Sequence, residues 1–218
     1  MILEKKFGQL TALVKNEVGT SKQALVLLHG VGSNEQNILD VGLQFSSERQ
    51  IISLRAPLVM GPQAYGWFHV QFTPQGPVHN WAQASDSFLI LEDSLRAISE
   101  QTGIAMNKIS VFGFSQGAIM TLGLALQSQL PLESYIACSG RVLPEFEKAS
   151  IEKPISNYQD RKILVAHGQF DSKLPIVMGR NTERILRSAN LNLVYKEYQA
   201  EHVVPQELVS DTQTFLST

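Results

Sequence analysis

The chain has 218 residues, 44% of them hydrophobic, enough to bury one sizeable core, and a single domain over residues 1–218 is expected. Only 17% are charged, the formal net charge is -2 and like charges form no run, so neither nucleic acid nor an anionic membrane surface is favoured as a partner. The single cysteine, Cys138, excludes an internal disulfide, and no stretch approaches the roughly 18 apolar residues of a membrane span. Residues 1–15 lack the apolar core and small-residue cleavage site of a secretory signal, so a cytoplasmic protein is expected.

Residues 9–15 alternate as a strand near a sheet edge does, whereas residues 24–28 are a continuous apolar run that belongs at a sheet centre. That run ends in His29-Gly30-Val31-Gly32-Ser33-Asn34, where Ser33 or Asn34 caps a helix carrying Ile38, Leu39, Val41, Leu43 and Phe45. The glycines expose backbone amides, yet no G-x-x-x-x-G-K-[ST] motif is present, which argues against a phosphate cradle. Residues 50–54 form another short strand. Residues 57–85 read as a long irregular segment with both tryptophans, Trp67 and Trp81, together with Tyr65, Phe68 and Phe72. Segments of that length are commonly functional, so Trp67 and Phe68 are candidate walls of a substrate pocket; the alternative is that they fold back to cover core. His69 and His79 read as solvated or structural.

An amphipathic helix over residues 87–101, ended by Gly103, leads into the most informative stretch. Residues 109–114 are a short apolar strand, residues from Gln116 onward follow a helical pattern, and between them lies Gly113-Phe114-Ser115-Gln116-Gly117. This fits the G-x-S-x-G nucleophile elbow, a tight strand-to-helix turn in which the glycines remove collisions with neighbouring elements. The turn lifts the Ser115 hydroxyl above the sheet and aims the Gln116 amide, at a helix N-terminus, toward an oxyanion. The Val31 amide of the earlier glycine loop is the candidate second donor, unless its glycines only make a turn. Strands at residues 135–138, 162–166 and 193–198 then alternate with helices at residues 176–188 and 206–216. The alternation implies an α/β fold with a mostly parallel central sheet and helices on both faces. Cys138, inside one of those strands, reads as buried packing.

A nucleophilic serine needs a base and an orienting acid, which α/β hydrolases carry in the chain order serine, acid, histidine. After Ser115 only His167 and His202 remain, and His202 leaves room for an acid between. Asp171 lies a few residues past a strand end, whereas Asp160 precedes that strand and Glu183 and Glu197 fall inside a helix and a strand. The expected roles are nucleophile for Ser115, base for His202 and orienting acid for Asp171, although an aspartate so placed also serves as a local turn cap. No metal-ligand spacing or cofactor fingerprint occurs, so neither group is expected.

The chain resembles the carboxylesterase and acyl-protein thioesterase family, the phospholipase/carboxylesterase branch of the α/β hydrolases. Four segments carry the resemblance: Leu28-His29-Gly30-Val31-Gly32, Gly113-Phe114-Ser115-Gln116-Gly117-Ala118, residues 167–175, and residues 198–202. It implies the α/β-hydrolase fold and, as substrates, short-chain carboxylic esters, acyl thioesters or lysophospholipids. About twenty residues separate Gly140 from Arg161, too few for a cap domain, so an open, shallow site is expected. Two departures bear on the substrate: His69 follows Gly66-Trp67-Phe68 where the family carries an acid, and Glu201 precedes His202 where glycine is usual. The expected partner is a small-molecule acyl ester, and exposed apolar loop residues would serve a homodimer as well as a pocket. Two other readings stay open, a non-catalytic binding protein on a hydrolase fold and an acyltransferase or peptidase with the same triad.

Overall fold

In the computed structural model, which describes residues 1–15, 21–45, 48–73, 76–155 and 158–217 except the side chains of Phe72 and Tyr158, strands and helices alternate along most of the chain. The strands are β1 (Ile2–Phe7), β2 (Leu10–Lys15), β3 (Ala24–Leu28), β4 (Gln50–Leu54), β5 (Leu58–Gly61), β6 (Ala64–Gly66), β7 (Val70–Thr73), β8 (Gly76–His79), β9 (Ile109–Phe114), β10 (Ser134–Cys138), β11 (Lys162–Gly168) and β12 (Asn192–Tyr198). The helices are α1 (Glu35–Gly42), α2 (Trp81–Thr102), α3 (Gln116–Gln127), α4 (Pro144–Glu152), α5 (Ile176–Ser188) and α6 (Gln206–Ser217). Eight strands make one sheet in the order β1-β2-β4-β3-β9-β10-β11-β12. From β4 to β12 every pairing is parallel, and only β2 runs against its neighbours.

The central strands are apolar throughout because both sheet faces are covered. Along β3 the side chains alternate between two cores: Leu25 and Leu27 pack with Ile38 and Leu39 of α1 and with Leu208 and Phe215 of α6. Val26 and Leu28 face the opposite core, built from α2, α3, Phe146 of α4 and Ile185 and Leu186 of α5. Parallel pairing sends the carboxyl ends of six strands to one edge of the sheet, where α/β folds hold their ligands. No helix among the described residues is long and apolar enough to cross a membrane.

The structure departs from the sequence reading in three places. β1 was not expected; it is the exposed edge strand, its Glu4, Lys5 and Lys6 are solvated, and the backbone ladder to β2 rather than a buried stripe holds it. The 57–85 segment is not irregular: it folds into the antiparallel hairpins β5–β6 and β7–β8, and α2 begins at Trp81, six residues before the expected start at Ser87. The Asn80 side chain accepts the Gln83 N–H and caps α2 there, a short-range signal that precedes the amphipathic stripe. The third is α4, a nine-residue helix begun by Pro144, which shows only Phe146 and Ser150 to the core and so leaves little periodic pattern. It is the one α-helix between Gly140 and Arg161, and no cap layer is present among the described residues.

The C-terminus of α3 is closed by a side chain distant in sequence. Arg161, buried, donates to the carbonyls of Leu124 and Ala125 at 3.0 and 2.8 Å and to that of Ser128. The Ala125 and Ser128 carbonyls would otherwise be orphaned in an apolar setting, whereas that of Leu124 also accepts the Ser128 N–H at 3.1 Å. Replacing Arg161→Met is expected to destabilise the fold by about 3 kcal/mol, since each buried acceptor left without a partner costs about 1–3 kcal/mol. A urea-unfolding midpoint unchanged from the wild type would refute this account of how α3 is anchored.

Candidate active site

Ser115 stands between β9 and α3 with φ 54° and ψ -114°, a conformation that side chains other than glycine adopt at a cost of roughly 1–3 kcal/mol. Its N–H donates to the Cys138 carbonyl at 2.9 Å, tying the turn to β10. Two glycines make the turn possible. A Cβ on Gly117 would lie 2.1 Å from the Leu28 carbonyl oxygen, and one on Gly113 would lie 2.3 Å from the Gly117 oxygen. α3 therefore starts against the end of β3, closer than any side chain permits.

Two loops bring side chains to the serine. Asp171, after β11, is buried, and its Oδ1 accepts the amides of Lys173 and Leu174 at 2.9 and 2.8 Å. The turn-cap role and the orienting role thus coexist, because Oδ2 remains for His202 Nδ1 at 2.7 Å. His202, after β12, presents Nε2 to Ser115 Oγ at 2.9 Å, and its ring lies 5.0 Å from that of Phe114. With Asp171 ionised the hydrogen bonds run in one direction: Nδ1–H donates to the carboxylate, and the serine hydroxyl donates to Nε2. His167 belongs to the scaffold instead, donating from Nε2 to the Leu174 carbonyl at 2.7 Å and so closing the Asp171 turn. Val31 and Gln116 both line the cavity over Ser115, and neither amide has a hydrogen-bond partner among the described residues.

The two aromatic candidates separate. Phe68 lines the cavity, but Trp67 is fully buried and its ring does not. Trp67 lies between core elements because its indole N–H donates to the His29 carbonyl at 3.0 Å and its backbone N–H to Gln116 Oε1 at 2.7 Å. The Gln116 Nε2 donates in turn to the Phe68 carbonyl at 2.7 Å. The elbow glutamine therefore clamps the start of the β6–β7 connection onto α3. His69 bonds Gln83 and His79 bonds Glu145, away from the serine. Cys138 is buried and burial pushes its thiol up to about 12, consistent with packing rather than reactivity. The sequence reading did not single out Ile119, Val70, Arg141 or Lys173, which also line the cavity. Arg141 sits just past the end of β10, and that position at the ligand edge of the sheet was the available signal.

His29 shows how the glycine loop is held. Its Nδ1 lies 2.7 Å from the Gly30 carbonyl and its Nε2 3.0 Å from the Ala56 N–H. A carbonyl only accepts and an amide N–H only donates, so the ring is the neutral Nδ1–H tautomer. Burial lowers its pKa below the ordinary 6.5, outweighing the Gly30 hydrogen bond.

Among the described residues no group of three His, Cys, Asp or Glu side chains is placed to hold a metal. The parallel sheet with a strained serine at the β9–α3 turn and a histidine–aspartate pair on later loops defines the α/β hydrolase class. Residues 10–218 match the family model described as phospholipase/carboxylesterase, and the chain belongs to that family. It is similar to acyl-protein thioesterase 1 of Gibberella zeae, with 23% identity over 226 residues that cover 96% of this chain and 95% of that one. Esterase YpfH of Escherichia coli is 30% identical over 132 residues, covering 57% of this chain and 56% of the relative. Among solved structures, esterase PE8 superposes with a TM-score of 0.83 at 25% identity, covering 95% of this chain and 98% of that chain. The Bacillus cereus carboxylesterase, at 18% identity, TM-score 0.79 and coverage of 95% and 93%, shares the fold. The protein is an esterase-type serine hydrolase.

Two outcomes are expected from this geometry. Gln116→Leu orphans the Trp67 N–H and the Phe68 carbonyl and should cost about 2–4 kcal/mol of unfolding free energy, at about 1–3 kcal/mol for each buried group left unpaired. Equal chemical-denaturation curves for variant and wild type would contradict the clamp. For His29, stability from the neutral ring is complete above pH 6.5 and is lost as pH falls through its lower folded-state value, because the unfolded chain then takes up a proton that the folded one resists. In an NMR titration the His29 ring signal should shift with a midpoint below 6.5; a midpoint at or above it would count against the tautomer.

Proposed function

We propose that this chain hydrolyses short- to medium-chain acyl esters, with acyl thioesters and lysophospholipids in the same range of chemistry, through an acyl-serine intermediate. The observation that carries the reading is the hydrogen-bonded line from Asp171 Oδ2 through His202 to Ser115 Oγ. In the first step Ser115 Oγ bonds to the ester carbonyl carbon while its proton passes to His202 Nε2. The carbonyl π electrons move onto the oxygen, and the amides of Val31 and Gln116 receive that oxyanion. Collapse re-forms the carbonyl and breaks the bond to the leaving oxygen, which takes the proton from His202. Water then attacks the acyl-serine by the same route in reverse, releasing the acid and restoring Ser115. Asp171 stabilises the imidazolium in both halves, and its second oxygen, committed to the Lys173 and Leu174 amides, keeps it from turning away.

The cavity over Ser115 has a volume of about 330 Å³, at the small end of ligand sites, and its wall includes Phe68, Val70, Phe114 and Ile119. That size and lining favour a short acyl chain, and the relative named an acyl-protein thioesterase supports thioesters as well as oxygen esters.

The test is hydrolysis of p-nitrophenyl esters from acetate to decanoate. Wild type should show an optimum at the short end and be labelled by a fluorophosphonate, and Ser115→Ala should lose both labelling and at least a thousandfold of kcat. Asp171→Asn, which forces the wrong histidine tautomer, should lower kcat by about 10⁴-fold. A folded wild type that is inert on esters and thioesters and unlabelled would overturn the reading in favour of a binding protein.

A further inference from the structure

Apart from Ser33 and the serine centre, the polar side chains that line the cavity are a pair of cations, Arg141 and Lys173; no carboxylate lines it among the described residues. Arg141 is the more buried of the pair. Half-buried, it has a guanidinium whose Nε is sequestered from solvent and has no hydrogen-bond partner. Its Nη2 makes two long contacts, with the Pro77 carbonyl at 3.3 Å and His79 Nδ1 at 3.5 Å. The carboxylate nearest in the network, Glu145, is bound to His79 Nε2 at 2.9 Å and forms no ion pair with Arg141. Burial lowers the Arg141 pKa, with Glu145 acting the other way, although a guanidinium stays charged at any pH the fold survives. A cation desolvated in this way is costly until an anion meets it.

The position of Arg141 says which part of a substrate would supply that anion. His202 must hand its proton to the leaving oxygen, so the alcohol lies toward His202 and toward Lys173 in the Asp171 turn. That leaves for the acyl chain the lining residues outside the His202 and Asp171 loops, among them Ile119 of α3 and Val70 and Pro77 of the β7–β8 hairpin. Arg141, in contact with Pro77 and His79 of β8, belongs to that group of lining residues. We propose that the substrate's acyl chain ends in an anionic group, a carboxylate, which pairs with the Arg141 guanidinium. The substrate class is then the half-ester or half-thioester of a short dicarboxylic acid, whose hydrolysis consumes one water and releases an alcohol or thiol and the dicarboxylic acid. This rests on the esterase reading of Ser115 and deepens it.

The arrangement gives an otherwise largely apolar pocket a guanidinium with no carboxylate partner. An incoming carboxylate meets the part of that guanidinium that lines the cavity, in a charge-assisted hydrogen bond. Binding energy from that remote pair is then available to orient the ester carbonyl against Ser115.

The experiment compares two p-nitrophenyl esters of one chain length on the intact protein, the glutarate half-ester as its monoanion and its neutral methyl-capped counterpart, with spontaneous hydrolysis subtracted. Wild type should favour the anion at least tenfold in kcat/KM, mostly through KM. Arg141→Gln should erase the preference by raising KM for the anion, and Arg141→Lys should restore part of it. Equal kcat/KM for the two esters in the wild type, with both hydrolysed, would overturn the proposal and leave the esterase reading intact. If neither ester is hydrolysed, the esterase reading itself fails. A third substrate, the acetyl ester of 4-hydroxybenzoate, carries its anion on the alcohol; an anion preference seen only there would refute the acyl-side assignment and shift attention to Lys173.

Discussion

The start of α3 rests directly on the end of β3, with a Cβ on Gly117 calculated to fall 2.1 Å from the Leu28 carbonyl oxygen. That contact forces the chain to turn within one residue, and the residue in the turn is Ser115 at positive φ. Everything needed by the serine follows from the crossing. It puts the first amides of α3 beside the loop that leaves β3, so two amides from stretches 85 residues apart line one cavity. It also fixes the height at which later loops must deliver a base. The strain is sustained because the turn is braced on three sides: the Ser115 N–H on Cys138, Gln116 on residues 67–68, and the far end of α3 on Arg161.

Buried polar groups near the site form a chain rather than isolated pairs. His29 holds Gly30 and Ala56, its carbonyl accepts the Trp67 indole N–H, the Trp67 backbone N–H donates to Gln116 Oε1, and Gln116 Nε2 donates to the Phe68 carbonyl. Each member is satisfied only while the others keep their places, so the glycine loop, the elbow and the β6–β7 connection are positioned together. Asp171 and His167 do the equivalent for the acid turn, where both ends of Leu174 are bonded.

The catalytic candidates were legible because their signals are local: a five-residue elbow, a glycine loop at a strand end, and an aspartate and a histidine each a few residues past a strand. Chain order selected among the histidines without any knowledge of distance. The central strands were legible too, since burial on both faces leaves an uninterrupted aliphatic run in β3 and a largely apolar one in β9. What escaped was structure held by backbone pairing or by single contacts. β1 shows no apolar stripe because one neighbour suffices for an edge strand, and the hairpins of residues 58–79 bury too little to write a period into the sequence. Trp67 illustrates the same limit: a tryptophan in a loop looks like a pocket wall, and only the tertiary partners of its two N–H groups turn it inward.

The Gln116 clamp grips main-chain atoms, the N–H of residue 67 and the carbonyl of residue 68, and makes no demand on side chains there. Part of the cavity lining, by contrast, comes from side chains of that segment and its hairpin, such as Phe68, Val70 and Pro77. Mechanical support and substrate choice are thus written in different atoms of one stretch. The wall side chains of this hairpin can change while the anchorage of Ser115 stays as it was, so the shape of the cavity varies there without disturbing the β9–α3 turn.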